Sequence, residues 1–376
     1  MSTCRVASRN GGRKVRYESD VKYSSHIAAS RLTGAATSMA NVILKPEWQS
    51  PERDVTPELV CRNRRKFIKQ LGLGAVAISS IGCAVDSNGR ARPDGPLDTI
   101  PEDAPREGYP ATRNEAFTVP ERPISDRTLA SSYNNFYEFD GTRKDIWPLT
   151  TDYDPFPMTI QVRGLVEEER TIDVAALIRR MPLEERVYRF RCVEAWAMTV
   201  PWTGFPLADL IKECRPLSKA TYVRFVSVNR PKEMPGIESQ HWYPWPYYEG
   251  LRMDEAMNDL AFVATGMYGE PLPKQNGAPL RLALPWKYGY KGAKAIVRIE
   301  FTNRQPATFW NDLQPTEYGF LSNVNPNIPH PRWSQASEEL ITTGERVPTQ
   351  LFNGYAKWVG DLYPDEPTKP GRPMAR

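Results

Sequence analysis

The sequence predicts an α+β fold built on mixed or antiparallel sheets, with short helices and many loops. Three observations carry this. Several segments alternate apolar and polar residues at the period of two that a half-buried strand requires. The helical patterns between them are short. And the 35 prolines among 376 residues suit loops and sheet margins better than a helical bundle, because proline has no N–H to donate and a fixed φ. With 40% apolar and 25% charged residues, the composition is that of an ordinary globular chain.

In chain order, residues 85–125 are polar and proline-rich and are expected to form a linker or extended arm. Order is expected to begin near Tyr133–Phe139. Strands are predicted at Met158–Val162, Val187–Arg191, Tyr222–Val228, Leu280–Leu284 and Ala295–Phe301. In the last of these, Val297, Ile299 and Phe301 oppose Arg298 and Glu300. Helices are predicted at Asp173–Arg180, Leu207–Lys212 and Asp254–Asp259, and around Ser334–Leu340. These elements fit one domain over 126–363. The tail 364–376 is expected to be disordered. No internal repeat is present.

The charge is unevenly placed. The whole chain carries +4, but residues 1–66 hold 13 Lys/Arg against 6 Asp/Glu, a surplus of +7 that leaves −3 for residues 67–376. The expected domain therefore has no bulk charge favouring nucleic acid. Within the leader, Arg64 and Arg65 precede the uncharged apolar run Leu71–Ala84. Paired arginines before such a run read as a twin-arginine export signal over 39–84, and the run is too short and too rich in Gly and Ser for a comfortable membrane span. The protein is thus expected to pass through the twin-arginine translocase to the periplasm and lose its signal peptide. Residues 1–38 are expected to be a mis-assigned extension, with translation starting at Met39. Cys83 raises a lipoprotein reading, against which Ser80 stands where a leucine is usual.

Cys192 lies where the alternating pattern Val187–Arg191 gives way to aromatic and small residues. A cysteine at a strand end beside an arginine is placed to be a thiolate, the form that binds soft metals or attacks electrophiles. It also reads as a buried structural cysteine, or as half of a disulfide with Cys214. The only histidines are His26, His241 and His330. There is no C-x-x-C-H for covalent haem and no G-x-S-x-G elbow.

Several blocks together resemble the catalytic subunits of periplasmic protein-methionine-sulfoxide reductases, molybdopterin enzymes of the sulfite-oxidase superfamily. They are Tyr133–Phe139 (YNNFYEF), Pro182–Arg186 (PLEER), Arg191–Trp196 (RCVEAW), Pro201–Leu207 (PWTGFPL) and Gln275–Pro279 (QNGAP). Further matches are Pro285–Gly289 (PWKYG), Glu317–Phe320 (EYGF), His330–Ala336 (HPRWSQA) and Leu351–Tyr355 (LFNGY). The resemblance covers residues 126–360 and the leader, and implies the sulfite-oxidase-type fold. It implies a molybdenum–molybdopterin cofactor with Cys192 as the one protein ligand to the metal. It places cofactor contacts at Asn134, Tyr137 and Glu138, at Asn276 and Arg281, and at Gly292, Ala293 and Lys294. Ser227 stands where the family usually has threonine and keeps the hydroxyl. Without the resemblance, Gly292–Lys294 reads as a turn and Arg281 as a solvent-facing strand residue.

The implied activity is removal of oxygen from methionine sulfoxide residues in exported proteins. With no haem motif in this chain, the resemblance implies electrons from a haem-containing integral membrane subunit. The aromatic run Trp242–Tyr248, with Trp196 and Trp202, reads either as a mouth for methionyl side chains or as core. Two other readings stay open, a sulfite-oxidase-like molybdoenzyme and a metal-free exported binding module of the same fold.

Overall fold

The computed structural model of the chain describes residues 94–369. The expected extension 1–38, the export signal 39–84, Cys83 and the start of the expected arm lie outside the described residues. Strands come first as β1 (Thr159–Gly164), β2 (Arg170–Asp173), β3 (Glu184–Arg191) and β4 (Trp196–Pro206). Next are β5 (Tyr222–Ser227), β6 (Tyr248–Arg252), β7 (Phe262–Met267) and β8 (Glu270–Pro271). The chain closes with β9 (Arg281–Ala283), β10 (Ile296–Thr302), β11 (Ser337–Leu340) and β12 (Arg346–Pro348).

Two sheets result, and both are mixed, as expected for this α+β chain. One runs β2–β1–β10–β5–β6, with β1 parallel to β10 and the other pairs antiparallel. The other runs β12–β11–β4–β7–β8, with β3 on β4 and β9 on β7. In it only β11 and β4 are parallel.

The strand β4 was not visible as a strand in the sequence, and its burial says why. Ten of its eleven residues are buried, so the polar face that would give alternation is missing. It lies between β3 and β7, and Gly204 lets β7 come close. A Cβ at Gly204 would stand 1.9 Å from the Val263 carbonyl oxygen, at the bulge between Thr203 and Gly204. In β10 the alternation predicted for Val297 slips at a second bulge, and Ile296 takes the buried position instead.

The helix predicted around Ser334–Leu340 is instead the strand β11. Pairing of Glu339 with Trp196 and of Leu340 with Ala197 outweighs the helical propensity of a four-residue segment. The other three helices form, at Val174–Arg180, Leu207–Cys214 and Met253–Ala256. Asp173 caps the first of them, accepting from the Ala176 N–H at 2.7 Å.

Order also begins earlier than Tyr133. The described part of the arm packs on the domain, burying Ala104, Phe117 and Val119. Thr99 donates to Gln275 Oε1 at 2.6 Å, and Gln275 in turn donates to the Pro96 carbonyl. The start of the expected disordered tail is likewise held. Asn325 donates to Glu366 and to the Pro367 carbonyl, both at 2.8 Å.

Candidate active site

One cavity of about 850 Å³, counting its open mouth, gathers residues from β3, β4, β7 and β9 of the second sheet and from the loops around them. It brings together Asn134, Tyr137, Glu138, Cys192, Asn276, Arg281 and Lys294, seven of the ten predicted site residues. The other three stand behind its wall. Ser227 ends β5, paired with Ile296, and its hydroxyl is buried without a hydrogen-bond partner. Gly292 and Ala293 pass over β9, where Leu282 N–H donates to the Ala293 carbonyl at 2.9 Å. A Cβ at Gly292 would stand 2.6 Å from the Leu282 carbonyl oxygen, so that crossing needs glycine.

Cys192 begins a tight turn at the end of β3. Its N–H donates to the Trp196 carbonyl at 2.9 Å, and Ala195 N–H returns to its own carbonyl at 3.1 Å. The sulfur accepts long contacts from the Glu194 N–H at 3.4 Å and Asn135 Nδ2 at 3.5 Å. The expected activation by Arg191 is outweighed, its charge lowering the thiol by less than burial and Glu194 raise it. Its guanidinium turns away, to Glu338 Oε2 at 2.9 Å and Gln335 Oε1 at 2.8 Å. Burial, and then the Glu194 carboxylate, push the Cys192 thiol up to about 12. The bare protein therefore holds it as a thiol, and a thiolate here needs a cation at the sulfur. Cys192 and Cys214 are both free, so the disulfide alternative is gone.

One wall of the cavity carries the cations Arg281 and Lys294. Arg281 donates from Nη1 to the Asn276 carbonyl at 3.0 Å, while its Nη2 is buried with no partner. Burial lowers its guanidinium to about 10. Lys294 lies 4.7 Å over the Phe136 ring. Burial, then the neighbouring Arg281, lower its ammonium, while burial raises the Glu138 carboxyl on the same wall.

Asn134 Oδ1 and Asn276 Oδ1 are also buried and unpartnered, although each side-chain amide N–H₂ finds a carbonyl, Ser131 and Ala130 respectively. With Ser227 Oγ and Arg281 Nη2 these make four orphaned polar atoms in and behind one wall. A buried polar atom left unsatisfied costs about 1–3 kcal/mol. Such a group in a native fold points to a polar ligand. The residues fit a pterin with a phosphate tail. Amide oxygens and a hydroxyl could accept from its N–H edges, and a guanidinium and an ammonium could pair with its phosphate.

Sequence reasoning gave no role to Asn135, Glu194 and Lys144, which the structure sets at the cavity mouth. Lys144 Nζ pairs with the Glu194 carboxylate and with Asn135 Oδ1. Asn135 Nδ2 and Trp196 Nε1 donate to the same carboxylate at 3.1 and 3.2 Å. Although burial opposes it, these bonds and the Lys144 charge hold the Glu194 carboxyl below its ordinary range. Asn135 and Glu194 lay inside quoted blocks, YNNFYEF and RCVEAW, and were within reach of a closer reading. Lys144 had no signal.

The aromatic run divides. Tyr247, Trp196 and Trp202 line the cavity together with Trp310 and Tyr318. Tyr243 and Trp245 pack on Phe309, and Trp242 stands 64% exposed. Among the described residues, no three His, Cys, Asp or Glu side chains gather as a metal site.

These features define a class, that of molybdopterin-binding oxidoreductases. Residues 148–310 match the oxidoreductase molybdopterin binding domain family. The chain is 46% identical over 317 residues to the protein-methionine-sulfoxide reductase catalytic subunit MsrP of Burkholderia mallei, covering 83% of this chain and 92% of that one. It is 52% identical over 237 residues to MsrP of Gluconobacter oxydans, covering 61% and 76%. The sulfane dehydrogenase SoxCD from Paracoccus pantotrophus aligns with 50% of this chain and 48% of its own, at 16% identity and a TM-score of 0.37. The chain belongs to the family of protein-methionine-sulfoxide reductase catalytic subunits, MsrP, and is an oxidoreductase.

Proposed function

We propose that the protein is a molybdenum-dependent reductase that takes the oxygen from methionine sulfoxide residues of exported proteins. One observation carries the reading. Cys192 opens into the same cavity as the partnerless Asn134 Oδ1, Asn276 Oδ1 and Arg281 Nη2 and the half-buried Lys294. Asn134, Asn276, Tyr137, Glu138 and Ser227 would hold the pterin. Arg281 and Lys294, with the backbone of Gly292 and Ala293, would hold its phosphate. Cys192 would supply the single protein sulfur, since a soft thiolate suits a soft metal. When bound, the molybdenum–molybdopterin group supplies two-electron oxygen-atom transfer.

The chain's own residues do the rest. Trp196, Trp202, Met198 and Met267 give an apolar, polarisable wall that suits a methionyl side chain. At the mouth, Lys144, Asn135 and Glu194 hold one another in a fixed polar edge beside the sulfur. Reduction of a sulfoxide to a thioether consumes two electrons and two protons and releases water. Restoring the thioether matters because oxidation makes a flexible apolar side chain polar.

The electrons come, in this reading, from a haem-containing integral membrane subunit, as the family resemblance implies. Among the described residues no helix is long and apolar enough to cross a membrane. The twin-arginine leader supports export to the periplasm, where oxidised proteins are the substrates. Purified holoprotein given a reduced viologen dye and an oxidised protein should oxidise the dye and restore methionine. No dye consumption at full molybdenum content would defeat the substrate assignment.

A further inference from the structure

The block His330–Ala336 takes no part in the cavity wall, yet it closes on the turn that bears Cys192. The Val193 carbonyl accepts two side-chain hydrogen bonds, from Trp333 Nε1 and Gln335 Nε2, both at 2.7 Å. The Ala195 carbonyl accepts from Glu339 N–H at 2.9 Å, and Ala195 itself sits at φ 64, a conformation an L-residue holds only when its surroundings impose it. The Cys192 carbonyl accepts from the Arg191 guanidinium.

Arg191 is gripped in turn. Its Nη2 bonds Gln335 Oε1 at 2.8 Å and its Nε bonds Glu338 Oε2 at 2.9 Å. The other carboxylate oxygen of Glu338 meets Arg122 Nη1, from the arm, at 2.6 Å. Arg191 and Glu338 side chains have zero exposure. Buried ion pairs of this kind add little net stability over apolar packing. Their concentration around one four-residue turn is therefore better explained by geometry than by stability.

We infer that Trp333, Gln335 and Glu338, with Arg191 and Arg122, are positioning residues that fix the place and direction of the Cys192 sulfur. The inference rests on the reading of Cys192 as the metal ligand. Groups that orient a ligating residue are typically worth about 10- to 100-fold in metal affinity or activity. The clamp acts through backbone carbonyls, so it fixes the turn as a whole and leaves the cavity face of the sulfur clear.

The test uses the holoprotein and four variants, read by molybdenum content and by the Mo(V) electron paramagnetic resonance spectrum. Gln335→Met removes the donor to Val193 and the acceptor for Arg191 at similar volume. Trp333→Phe removes one donor and keeps the ring that stacks on His330 at 3.8 Å. Tyr363→Phe deletes a buried hydroxyl elsewhere, bonded to Glu255 and Trp286, and serves as a purely structural control. Cys192→Ser tests the ligand itself.

The expected result is a shifted or broadened spectrum in Gln335→Met, with turnover down roughly 10- to 100-fold. Trp333→Phe should change in the same direction by less, and Tyr363→Phe should keep the parent spectrum. Loss of molybdenum from folded Gln335→Met, with Tyr363→Phe fully loaded, supports the clamp equally. If Gln335→Met does not fold, Trp333→Phe decides alone. Parent spectra in both clamp variants, with Cys192→Ser altered, overturn the clamp and leave the ligand reading standing. A parent spectrum in Cys192→Ser overturns both.

Discussion

Gly236 offers a direct way to disturb the cavity without touching a residue that lines it. It sits in the short helix Pro235–Ser239, which is packed on the backbone of Tyr137 and Glu138. A Cβ there would stand 2.2 Å from the Tyr137 carbonyl oxygen and 2.8 Å from both C and O of Glu138. The opposing atoms are backbone, so no side chain can swing aside. Relief requires the two segments to part by about 1 Å, and overpacking of this kind costs typically about 1–3 kcal/mol. Separation also strains the bonds that join them, Ile237 N–H to the Glu138 carbonyl at 3.2 Å and Gln240 Nε2 to the Tyr137 carbonyl at 3.1 Å. Gly236→Ala should therefore lower the thermal midpoint by roughly 2–4 °C per kcal/mol in a domain of this size. Because Tyr137 and Glu138 line the cavity, it should also lower bound pterin and molybdenum measured on the purified protein. A variant with the parent midpoint and full cofactor would refute the reasoning, since it would mean the close approach is not rigid.

Other perturbations follow from the same coordinates. Lys287 donates to Glu255, the Leu321 carbonyl and Asn323 within 2.9 Å. Lys287→Met removes the buried ammonium paired with Glu255, leaving that buried carboxylate only the Tyr363 hydroxyl and the Arg252 N–H, and should cost about 3–5 kcal/mol in denaturant unfolding. In cofactor-free protein carrying Cys214→Ala, alkylation of Cys192 should be slow at pH 8. With the thiol pushed up to about 12, only about one molecule in ten thousand is thiolate at that pH. The rate should climb steadily to pH 10 and above, whereas a plateau near pH 8 would show that burial does not control the sulfur. Cys192→Ser should retain pterin through Arg281 and Lys294 yet lose turnover, read by pterin fluorescence after release and by dye oxidation. Ser227→Ala should leave cofactor-free protein equal or more stable by up to about 1–2 kcal/mol, because the hydroxyl has no partner to lose. The same change should weaken cofactor retention in the loaded protein.

Much of the fold was legible because half-buried strands write their burial as alternation. Residues of β1, β5 and β10 face the core on one side and water or loops on the other, and each was placed to within a few residues. The two long strands that were missed share one physical cause. The strands β4 and β7 are buried on both faces, so their sequences carry no period to read. Of the site, Cys192, Asn276 and Arg281 were named because they sit in recognisable blocks. Lys144 was not, because its part depends on a loop folding back on Glu194, a contact 50 positions away that no local pattern records. Arg191 shows the opposite failure. Its neighbourhood in sequence suggested a charge acting on the sulfur, but adjacent residues of a strand point to opposite faces. The charge went to Glu338.

That separation explains how one cysteine can serve where free thiolates are unsuitable. If Arg191 faced the sulfur, its charge would favour the nucleophilic thiolate in the bare protein. The fold directs the arginine to the carbonyl side of the turn and sets Asn135 Nδ2, the Glu194 N–H and the Glu194 charge near the sulfur. The unloaded state is thereby a protonated and unreactive thiol. The orphaned atoms of Asn134, Asn276 and Arg281 act in the same sense. Each presents a free donor or acceptor to a polar ligand, so the free energy of binding is concentrated on one ligand chemistry.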